Sequence, residues 1–67
     1  MNPAVAHVFQ FFKYEHLPLH LQEVSKPFCD LATVIANASG NQETVIALRL
    51  LLQAKDAAVR AVLCEQK

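Results

Sequence analysis

Glycine occurs once in this chain of 67 residues and tryptophan not at all, and no segment repeats. The lone Gly40 excludes a glycine-rich phosphate loop and a nucleophile elbow, both of which need more than one glycine at fixed spacing. No His-Glu motif of a metalloprotease occurs either. Charge of one sign is also missing. Lys plus Arg total 6 and Asp plus Glu total 6, so the formal net charge is zero. Coating of duplex DNA or RNA rests on a clear basic excess and is not expected. A small anionic ligand needs only a few local cations and stays open. The two cysteines, Cys29 and Cys64, do not form a C-x-x-C pair and are expected as free thiols. His16 and His20 stand four apart with Pro18 between them, and no second ligand pair accompanies them. No metal and no cofactor are expected. Long apolar runs are lacking as well. Arg49, Gln53, Lys55, Asp56 and Arg60 interrupt the richest one, so no membrane span is expected. No basic run precedes the apolar residues near Met1, so no secretory leader is expected, and the location implied is cytoplasmic.

What the chain does have is apolar side chains, 54% of its residues. A domain this small buries only about 60% of the surface its unfolded chain exposes. Small folds are commonly completed by disulfides, metals or self-association. With the first two not expected, the surplus points to a homo-oligomer.

The punctuation predicts an all-α fold in one domain, residues 1–67. Pro3 to about Lys13 holds Val5, Val8, Phe9, Phe11 and Phe12 and is expected as a short helix packing across the hairpin or onto a neighbour. From Leu17 to Ile35, apolar residues recur every three or four positions: Leu17, Leu21, Val24, Phe28, Leu31, Ala32, Ile35. At about 100° per residue they form one stripe. This predicts an amphipathic helix starting near Pro18, with a kink or restart at Ser25-Lys26 because Pro27 lacks an amide donor. Ser25 is a candidate cap for the second half. Ser39-Gly40-Asn41 is the turn, with Gly40 expected in the left-handed region and Asn41 capping the next helix. That helix, Gln42 to about Glu65, closes an antiparallel hairpin. Arg49, Gln53, Asp56 and Arg60 share one polar stripe, and Asp56 and Arg60 are spaced as an i,i+4 pair. Leu50, Leu51, Ala54, Ala57, Ala58 and Ala61 lie where one hairpin partner does not reach. They are expected to meet another chain.

Several residues carry candidate chemistry. Lys55 falls among Leu48, Leu52, Val59 and Val62, and a covered ammonium needs a partner. The expected partner is Glu23 or Asp30; the alternative is an anion at an interface. Lys13, Tyr14, His16, Ser25 and Lys26 gather at the entry to the first long helix. Tyr and His can stack on a base, while Lys, Ser and free amides can hold a phosphate. The alternative is an ordinary polar helix end with the Tyr14 ring on the core edge. A catalytic site is not expected, since the catalytic motifs are missing and Asp30, Glu43 and Asp56 fall on different faces or ends of the helices. A chain of this size also has little room for a pocket of its own, so enclosure would arise between copies.

Tyr14-Glu15-His16-Leu17-Pro18, an amphipathic helix, a tight turn, then a helix with Leu48-Arg49 and Ala57-Ala58-Val59-Arg60-Ala61-Val62 make up a recognisable order. It resembles the small helical-hairpin family of phage anti-CBASS and anti-Thoeris proteins, which sequester cyclic oligonucleotide or cyclic ADP-ribose signals without degrading them. The resemblance implies a compact oligomer, often a hexamer, with cyclic dinucleotide pockets between protomers. It implies that Tyr14 stacks on a base and Lys26 meets a phosphate. It also implies a second pocket type, for cyclic trinucleotides, with Arg60 in it. Arg49 and Lys55 are further candidate cations of the last helix.

Overall fold

The computed structural model describes residues 1–65. All its regular elements are helical: α1 (Pro3–Phe9) running into a 3₁₀ turn (Gln10–Phe12), α2 (Leu19–Ala38) and α3 (Gln42–Glu65). At 1.5 Å per residue, α2 and α3 end to end would exceed ~60 Å. The longest dimension is 40 Å. The three-residue connection therefore turns the chain back, and α2 packs along α3.

Two of the three α-helices start at a short polar side chain. Asn2 accepts from the Val5 amide at 2.9 Å through its side chain and from the Ala6 amide at 2.9 Å through its carbonyl. Pro3 comes next, where a missing amide hydrogen costs nothing. Asn41 repeats the device for α3: its Oδ1 accepts from the Thr44 amide at 3.0 Å and from the Thr44 hydroxyl at 3.3 Å. Helix α2 starts at Leu19, and the Pro18 carbonyl takes the first amides, Leu21 at 2.9 Å and Gln22 at 3.0 Å.

Three expectations about local backbone need correction. Helix α2 is continuous through Pro27, with no restart at Ser25-Lys26. Pro27 faces solvent, and so does Glu23, whose carbonyl loses its usual donor and can turn to water. Ser25 therefore caps nothing. It points into the protein, 1% exposed. Gly40 does not enter the left-handed region. Its smallness serves a close approach instead: a Cβ there would stand 3.0 Å from Asn2 Nδ2. The Asn2 amide donates to the Gly40 carbonyl. One residue thus caps α1 and ties it to the α2–α3 turn.

The core is small. Val5, Val8, Phe12, Ala32, Ala36 and Leu48 form its buried cluster, with Phe28, Cys29, Ile35, Val45, Leu51 and Leu52 packed around it. Leu51 and Ala58 are half-buried, so they are partly satisfied within one chain. Leu50, Ala54, Ala57 and Ala61 are exposed as expected.

Asn2→Ala removes both the cap and the tie to Gly40. It is expected to lower stability by about 1–2 kcal/mol, read in a urea or thermal melt. Asn2→Asp keeps the cap but has no amide to donate, and its stability should fall between those of Asn2→Ala and the unchanged protein.

Candidate functional site

The entry to α2 brings some of the candidate residues together and separates others. Residues 13–18 form a loop held by Gln22, whose side-chain amide donates to the Leu17 carbonyl at 2.8 Å and the Glu15 carbonyl at 3.3 Å. Within the loop the Leu17 amide donates to the Tyr14 carbonyl at 3.0 Å. The Tyr14 amide donates to Glu15 Oε2 at 3.2 Å. These contacts set Tyr14, half-buried, beside the first turns of α2.

Lys26 stands about two turns further along α2. Its ammonium donates to Asp30 Oδ2 at 3.2 Å, one helical turn on. The hydrogen bond to Asp30 and then its charge raise the Lys26 pKa, with a further contribution from the Tyr14 phenol. The phenol and the ammonium are therefore within electrostatic reach of each other. Both partners of the ion pair are well exposed, 58% and 63%, so the pair contributes little to stability and leaves the ammonium open to other anions. Two carboxylates adjoin these residues, Glu15 at the Tyr14 amide and Asp30 at the Lys26 ammonium.

Other candidates stand apart from this cluster. Lys13 and His16 are exposed on the loop. Ser25 turns away from Lys26, by about 100° on the wheel, and its buried Oγ has no hydrogen-bond partner. Arg49 and Arg60 are exposed along the polar stripe of α3 and make no ion pair among the described residues. Asp56 does not pair with Arg60. It takes Lys55 instead, at 3.2 Å.

Lys55 finds a partner of an unexpected kind. Its ammonium donates to the Phe11 carbonyl at 3.1 Å, at the end of the 3₁₀ turn. Neither Glu23 nor Asp30 is involved. The side chain is only 13% exposed. A helix end presents carbonyls with no intrahelical donor, and a lysine there satisfies one of them and opposes the helix dipole. Lys55 is thus engaged in holding the N-terminal segment rather than free for a ligand.

The residues that sequence reasoning missed are Gln22, which shapes the loop, and Asp30, which holds Lys26. The Lys26–Asp30 spacing of four is a signal visible in the sequence. The reach of Gln22 back across the loop is not.

A single chain encloses no pocket among the described residues. Those residues include no group of three or more His, Cys, Asp or Glu able to hold a metal ion, and no helix long and apolar enough to cross a membrane. No family model, curated protein or solved structure matches the chain.

Two measurements check these contacts. Lys55→Met keeps the apolar stem and loses the donor to Phe11. It should cost about 1 kcal/mol, lowering Tm by roughly 4–8 °C for a domain this small. Burial pushes the Cys29 thiol up, whereas Cys64 is exposed near the end of α3. With a thiol reagent near neutral pH, Cys64 should react promptly and Cys29 slowly, as mass mapping of the labelled sites would show.

Proposed function

We propose that this chain is a non-catalytic binding protein that sequesters cyclic oligonucleotide second messengers at sites shared between copies. The observation that carries the reading is an aromatic ring and an open cation at one end of α2: Tyr14 on the loop that enters the helix, within electrostatic reach of the exposed Lys26 ammonium. A cyclic dinucleotide has two bases and two phosphates. Two copies would meet it with two rings and two ammonium groups, joining stacking to charge-assisted hydrogen bonds. Zero net charge is compatible, because the cations need only converge locally.

The described residues of one chain enclose no pocket, so enclosure would have to come from association. The exposed apolar residues favour association: Leu19, Leu31, Val34, Ile46 and Leu50 are each about half exposed or more. Patches of this kind mark protein contacts. In this reading the chain forms a compact homo-oligomer of helical hairpins, a hexamer by its resemblance to the anti-CBASS and anti-Thoeris family. It would act in the cytoplasm of an infected bacterium, blocking CBASS- or Thoeris-like signalling. Cyclic trinucleotides and cyclic ADP-ribose isomers are further ligand classes for it, and exposed Arg60 is the cation of the trinucleotide site.

The same exposed apolar residues also suit a second reading, an oligomerisation or protein-interaction module with no nucleotide ligand. Isothermal titration with a panel of cyclic di- and trinucleotides and a cyclic ADP-ribose isomer separates the two. Heat from at least one member, with ligand recovered unchanged, is the expected result. Tyr14→Ala or Lys26→Ala should abolish dinucleotide binding with the oligomer intact. Silence across the whole panel would leave only the interaction module.

A further inference from the structure

The outer face of α3 has a composition that limits what can cover it. Ile46, Leu50, Ala54, Ala57 and Ala61 recur at spacings of three and four, and all are exposed, Ile46 by 48% and Leu50 by 61%. They fall within about 80° of one another on the wheel. Neither α1 nor α2 covers this face. The core packs on the other side, through Thr44, Leu48, Leu51 and Leu52. The two large residues lie in the first half of the helix and the three alanines in the second. A parallel copy in register would set large against large and leave the alanines facing one another across a gap.

Reversed, the face is complementary to itself. With a two-fold axis passing between Leu52 and Gln53 – so that paired positions are related by reversal – Ile46 comes level with the second copy's alanine-rich end and Leu50 with its middle alanines. About that axis Leu50 is nearest in level to Ala54 and Ala57, and Ile46 to Ala57 and Ala61. Each large side chain then finds a small one, and the helices can approach closely along their length.

The charges point to the same register. Arg49 and Asp56 lie on one flank of this face, and the same axis places Arg49 opposite Asp56 of the second copy, twice. In antiparallel pairs like flanks meet, so both contacts form. In a parallel pair that flank would face the Ala47 and Ala58 side and find no charge. Asp56 is 48% exposed and keeps an oxygen for a second partner beyond Lys55. Rim charges of this kind fix orientation and register in helix pairs.

We infer that α3 pairs with α3 of a second copy, antiparallel, about a two-fold axis between Leu52 and Gln53. This rests on the self-association in the proposed function and on no ligand.

Cross-linking tests the geometry directly. In full-length protein carrying Cys29→Ser and Cys64→Ser, Gln53→Cys lies next to the axis and should join two copies through a short bis-maleimide. Glu43→Cys places its two thiols about 28 Å apart at 1.5 Å per residue and should stay unlinked. Charge reversal supplies the second arm. Arg49→Asp or Asp56→Arg alone should weaken association about tenfold, by light scattering across a dilution series. The double reversal should restore it. Cross-linking through Glu43→Cys instead, or no rescue by the double reversal in a protein that still oligomerises, overturns this register but leaves self-association standing. A protein that is monomeric throughout overturns both.

Discussion

Among the described residues, three of the seven buried apolar ones, Val5, Val8 and Phe12, belong to the first twelve positions, and they have no core except the groove that α2 and α3 make. The groove in turn has little filling of its own, because α2 contributes alanines there, Ala32 and Ala36. Small residues let α2 approach α3, and the N-terminal segment supplies the volume they lack. Its docking is fixed at both ends. Asn2 holds the start to the turn at Gly40, and Lys55 holds the finish by the Phe11 carbonyl. Since Gly40 precedes α3 and Lys55 lies in its second half, α1 runs alongside α3 in the same direction. Residues 13–18 then return to begin α2, and Tyr14 lies on that return. The candidate site depends on the docking of a helix that contains none of its residues.

Much of this arrangement is legible in the sequence. The three-and-four spacing of Leu21, Val24, Phe28, Ala32 and Ile35, the capping Asn41 and the absence of Pro or Gly after Gln42 define α2 and α3 through interactions within a few residues. Two of the failures share one cause. The purpose of Gly40 is set by Asn2, and the partner of Lys55 is a backbone carbonyl 44 positions away. Backbone carbonyls have no sequence signature, so a search for a lysine's partner among side chains turns to Glu23 and Asp30. Pro27 fails differently. A proline in a helix removes one hydrogen bond, and on the solvent side water replaces it, so tertiary packing keeps α2 whole.

The candidate site is half legible. Tyr14 and Lys26 are the residue types that stacking and phosphate contact call for, and they stand within electrostatic reach of each other. Ser25 adjoins Lys26 in sequence but points elsewhere, because one step along a helix turns a side chain by about 100°. Adjacency in sequence is a good guide in a loop and a poor one in a helix. Asp30, one turn beyond Lys26, is on its face for the same reason.

A core this small leaves each long helix with one satisfied side. For α2 the outer flank carries Leu31 and Val34, and for α3 it carries Ile46 and Leu50. Leaving that surface in water is unfavourable in proportion to its area, whereas covering it by a second copy requires a complementary shape. Large residues at one end of α3 and alanines at the other meet that requirement only when the copy is reversed. Such a pairing would lie on the side of α3 opposite the core, so it would cover the apolar excess of α3 and leave the entry to α2, with Tyr14 and Lys26, outside the contact.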